Sequence, residues 1–164
     1  MVGRQQRQVD ASAIVNWHTF LRKNIQGSAI TYQIAAKDAG RANDRVTENK
    51  FLMLASMSYE DYGKIMEKKA NALPPGPLRE EIHLMAFDAF VGAVYVGREI
   101  DIPSNWQRNV LLLDMAEHNL RNAPHHEELF DIGSGWERWK KLKDTINVFN
   151  TLRKEISGLN LSVH

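Results

Sequence analysis

No cysteine occurs in the 164 residues. Disulfides, thiolate zinc sites, iron–sulfur clusters and cysteine nucleophiles are therefore excluded, and the absence fits a reducing compartment. Proline is scarce: three of the five residues fall in Pro74-Pro75-Gly76-Pro77, which marks the sharpest break in the chain. Neither sign of charge dominates, since 21 Lys and Arg stand against 20 Asp and Glu for a net charge of +1. Composition alone therefore points to no polyanionic partner. Long apolar runs are missing as well. The longest, Leu84 to Gly97, has fourteen residues and is interrupted by Asp88, whereas a membrane span needs about 20. Residues 1–10 are polar and basic with no apolar stretch behind them, so no signal peptide is expected. The reading is a cytoplasmic protein with no membrane partner. Walker, G-x-G-x-x-G, G-x-S-x-G, H-E-x-x-H and EF-hand patterns are absent, as are internal repeats.

What is present is ordinary globular composition, with 43% hydrophobic and 25% charged residues. A chain of this length suits one domain over 1–164, with 1–10 read as a flexible basic tail. Helical spacing recurs along it. Ile14, Trp17, Leu21 and Ile25 share a face behind Asp10 as N-cap, and Gly27 is a suitable stop. A second helix is expected over 29–39 with Gly40 ending it, and a third over 43–55. Ser58 is expected to open a fourth, carrying Tyr62, Ile65, Met66, Lys69 and Leu73.

After the proline break, Pro77 suits a first helical turn and Glu80 and Glu81 suit its dipole. The helix that follows is apolar nearly all round, which predicts a central buried element near 78–93. Val94, Val96, Ile100 and Ile102 then alternate, which allows a short strand near 94–102. Ser104 and Gln107 form an S-x-x-Q capping box for the next helix. Pro124 opens a short helix to Phe130, and Gly133-Ser134-Gly135 reads as a joint. The last helix is expected over 136–156, with Leu142, Phe149 and Ile156 seven apart. The fold class is thus all-α or nearly so, a bundle of six or seven helices.

The near-neutral total hides an asymmetry. Residues 1–50 hold eight Lys and Arg against four Asp and Glu, while 51–100 hold five against seven. The basic excess coincides with the segment TYQIAAKDAGRANDRVTENKFL. There a small residue, a turn glycine and an apolar anchor stand in order as Ala36, Gly40 and Val46, four and six residues apart. Glycine suits a turn that needs positive φ, and alanine lets two helices approach. The segment resembles a helix-turn-helix unit of bacterial DNA-binding proteins. It differs at Arg41 and Asn49, where that pattern has apolar residues.

The resemblance implies that Asn43, Asp44, Arg45 and Thr47 open a recognition helix in the major groove. It implies that Arg45 reads guanine and Asn43 adenine. Arg4, Arg7, Arg22, Lys23, Arg41 and Lys50 would then meet phosphates of double-stranded DNA. The plainer alternative is two consecutive helices joined at a glycine.

Three other groupings carry chemistry. Glu80 and His83 make an E-x-x-H pair, and Asp114 and His118 stand at i, i+4. Such pairs can chelate a metal, but a di-iron bundle needs two E-x-x-H motifs and two more glutamates. No cofactor is expected. Asp88, in an apolar helix, needs a partner, and a structural one is favoured. The C-terminal stretch interleaves Trp136 and Trp139 with Arg138, Lys140, Lys141 and Lys143. With Phe149 and Leu152 it offers a face for a protein partner or for self-association. The reading that emerges is a non-enzymatic binding protein, DNA-binding through 32–51. The alternative is a helical adaptor or assembly subunit docking through 136–159.

Overall fold

A computed structural model describes residues 27–126 and 136–162, and among them every regular element is a helix. There are five: α1 over 27–41, α2 over Arg45–Ala72, α3 over Pro77–Gly97, α4 over Pro103–Arg121 and α5 over Trp136–Ser162. The helices expected over 11–25 and from Pro124 to Phe130 fall wholly or partly outside the described residues.

Five rather than six or seven follows partly from one merger. The expected third and fourth helices are the single 28-residue α2. Ser56 and Ser58 do not divide it, because their hydroxyls find carbonyl acceptors: Ser58 bonds back to Leu54 at 2.9 Å, and Ser56 bonds across to Ala93 at 2.7 Å. A serine whose hydroxyl is satisfied in this way stays inside a helix. Asp44 starts α2, its carboxylate accepting from the Thr47 N–H at 3.1 Å and the Thr47 hydroxyl at 2.6 Å. Leu73, extended before proline, ends it. Gly76 then takes φ 157°, a conformation open mainly to glycine, and Pro77 begins α3.

No strand forms at 94–102. Helix α3 runs on to Gly97 and the chain turns at once. Val94 and Val96 are both buried because α3 is covered on more than one side, so alternation here reports two packed faces of a helix. Ile102 is exposed and serves as backbone N-cap to α4. The S-x-x-Q box does not form, since α4 starts at Pro103, one residue before Ser104.

Helix α3 is the centre of the bundle, as its composition predicts. It packs against α2, α4 and α5. The contacts Asn49–Asp101, Ser56–Ala93 and Gly63–Phe90 show that α2 and α3 are antiparallel. His83–Asn119 and Gly97–Asn105 show the same for α3 and α4. One buried cluster joins Met66, Ile82, Phe87, Phe90 and Leu113 to Phe149, Leu152 and Ile156 of α5. Phe87 and Phe149 meet edge to face at 5.6 Å. A smaller cluster joins Ala36 of α1 to Leu52, Ala55, Val96 and Ile100. No helix among the described residues is long and apolar enough to cross a membrane.

Candidate functional site

The residues singled out between 41 and 50 gather at one corner, where the α1–α2 turn meets the α3–α4 connection. Helix α1 runs through Gly40, so the glycine is not the turning point. The positive φ falls instead on Asn43, at 57°, a residue whose short amide tolerates that region. Ala36 is buried against α2 as the motif wants. Val46, the expected apolar anchor, is 82% exposed.

Arg41 and Arg45 of this corner meet local carboxylates. Arg45 lies 2.9 Å from Glu48 and 3.9 Å from Asp101, and donates to the Glu99 carbonyl at 2.9 Å. Arg41 stands 3.7 Å from Asp38. Thr47 is used in the cap of α2, and its hydrogen bonds hold the Asp44 carboxyl below the usual carboxylate range. Asn49 accepts from the Asp101 N–H at 3.2 Å. Lys50 is exposed. Counting Asp38, Asp44, Glu48, Glu99 and Asp101 against Lys37, Arg41, Arg45, Lys50 and Arg98, the corner balances acid with base. Arg4, Arg7, Arg22 and Lys23 lie outside the described residues.

The candidate metal ligands are dispersed. Glu80 accepts from the His125 N–H at 2.9 Å and lies 3.3 Å from that imidazole. Asp114 and Glu117 both bind Arg153 of α5, at 2.7 and 3.0 Å. Burial alone would lower the Arg153 pKa, but these two carboxylates outweigh it and raise it. His118 lies against Asn122. No group of three or more metal-ligating side chains forms among the described residues.

His83 has a different role. It is fully buried, and its Nδ1 lies 2.8 Å from Asn119 Oδ1. The Asn119 amide donates to Glu67 at 3.1 Å and to the Met115 carbonyl at 2.8 Å. With its amide nitrogen occupied as donor, Asn119 accepts from His83, which places that proton on Nδ1. The chain Glu67–Asn119–His83 thus ties α2, α3 and α4 together. Asp88 accepts from the Thr145 hydroxyl of α5 at 3.0 Å. Nearby Tyr59 has its pKa raised, first by burial and then by the Asp88 charge.

A second polar bridge was not legible from spacing. Arg108 of α4 donates to Ser56 at 2.7 Å and to Glu60 at 2.8 Å, both on α2. Burial works to raise the Glu60 pKa, but Lys64 and Arg108 outweigh it and hold the carboxylate below its ordinary value.

Of the expected partner-docking residues, Phe149 and Leu152 are core, 6% and 1% exposed, because α5 turns that stripe onto α3. The side chains of Trp136 and Trp139 lie outside the described residues. Among the described residues an exposed apolar pair stands elsewhere. Ile30 and Ile34, one turn apart on α1, are 52% and 57% exposed. They point away from the Tyr32–Ala36 face that packs on α2. No family model matches the chain, and neither a curated protein nor a solved structure matches it.

Proposed function

We propose that the protein is a helical interaction or assembly subunit that engages a protein surface through the outer face of α1. The observation that carries this reading is the Ile30–Ile34 pair. Large apolar residues scattered singly over a surface need no explanation, but two on adjacent turns of one helix make a stripe that a partner can cover. The corner beside it argues in the same direction, because its arginines are already matched by carboxylates. Counterion release, the main source of affinity for DNA, needs cations free to face phosphates. The test is a photo-crosslinking residue at position 34, with the exposed position 61 of α2 as control, in cells producing the protein. A discrete adduct at 34 that Ile30→Glu reduces at least fivefold is expected. Equal labelling at both positions, or none at 34, overturns the reading.

DNA binding through 32–51 is the second reading. Two features favour it: the tight turn at Asn43, and the burial of Ala36 where α1 and α2 pack. Anisotropy of a labelled mixed-sequence duplex, titrated at low and moderate salt, decides it. Binding that weakens steeply with salt, and weakens further in Lys50→Ala, supports this reading. No binding at low salt in the high micromolar range removes it.

A further inference from the structure

We draw no further inference here: the strongest candidate, the 620 Å³ cleft between the α3–α4 connection and Glu155–Ile156 of α5, carries nothing, because its charged lining is an acidic cluster, Glu99, Asp101 and Glu155 around the single Arg98, and its unpartnered polar atoms, Trp106 Nε1 and Asn109 Oδ1, are closed off from solvent and so point to no ligand.

Discussion

The α2–α3 crossing and the corner at Arg45 are built from the same two helices and their ends, yet they are held in opposite ways. At the crossing, Gly63 lies under the Phe90 ring, and a Cβ added there would sit 2.7 Å from the ring edge. Gly92 leaves a little more room beside Tyr59, where an added Cβ would sit at 3.3 Å. The helices meet there through shape. At the corner, the same pair is joined by Arg45 and Asn49 reaching to Glu99 and Asp101, with Arg45 46% exposed. The first contact is close-packed and dry, so it tolerates little change in volume. The second is wet, and each of its ion pairs is worth little. The crossing therefore sets stability, and the corner is left open to change without loss of the fold.

The largest effect should come from the crossing. Gly63→Ala is expected to cost about 1–3 kcal/mol by overpacking, read as a lower denaturant midpoint with an unchanged slope. Phe90→Leu in the same chain should recover part of that loss, because the two side chains share one space. A loss that Phe90→Leu leaves untouched would mean that the tight approach at Gly63 does not set the spacing of α2 and α3.

A smaller effect separates the half-buried bridge from both extremes. The folded-state pKa of Glu60 is depressed, so its contribution is present above the unfolded value of about 4.3 and is lost as pH falls through the lower folded value. Wild type and Glu60→Gln should thus differ in stability at pH 6 and by less at about pH 3, below the unfolded value. Denaturant melts of both proteins at the two pH values check this. A gap that stays constant with pH would assign the loss to packing rather than to the charge facing Arg108 and Lys64.

The same division explains what the sequence could reveal. Helix α3 was legible because Ile82, Leu84, Phe87 and Val96 make it apolar nearly all round, and only a central position accepts that. The break at Pro74–Pro77 was legible because proline acts locally. The merger of two expected helices into α2 was not. Ser58 reads as a helix start unless one knows that its hydroxyl bonds back to Leu54 and that Ser56, two residues before it, reaches Ala93, 37 residues away. The supposed strand failed for a related reason, since alternation at Val94 and Val96 matches burial on two sides of a helix. Spacing placed Glu80 beside His83 on one helix but could not show that Asn119 and His125 claim them separately. Phe149 and Leu152 looked like a docking stripe because periodicity identifies an apolar face without saying which neighbour covers it. The arginine at 45 was visible as charge, but two of its partners, Glu99 and Asp101, lie more than fifty residues further along the chain.

Arg45 supplies the sharpest contrast with Gly63. Replacing it by alanine removes the contacts to Glu48, Asp101 and the Glu99 carbonyl in one step. A count of interactions would rank this change as severe. Solvent screening and the entropy of holding a long, half-exposed side chain argue otherwise, and the expected cost is below about 1 kcal/mol. The Asp101 N–H keeps its acceptor in Asn49, and α2 keeps its Asp44 cap. Arg45→Ala should therefore unfold within that margin of wild type, with amide shift changes confined to 44–49 and 98–101. A loss above about 2 kcal/mol, or shifts spreading into Leu52, Ala55 and Val96, would show that the corner clamps the smaller buried cluster. In that case the arginine is committed to the fold, and neither DNA nor a partner can take it without opening α2 from the α3–α4 connection.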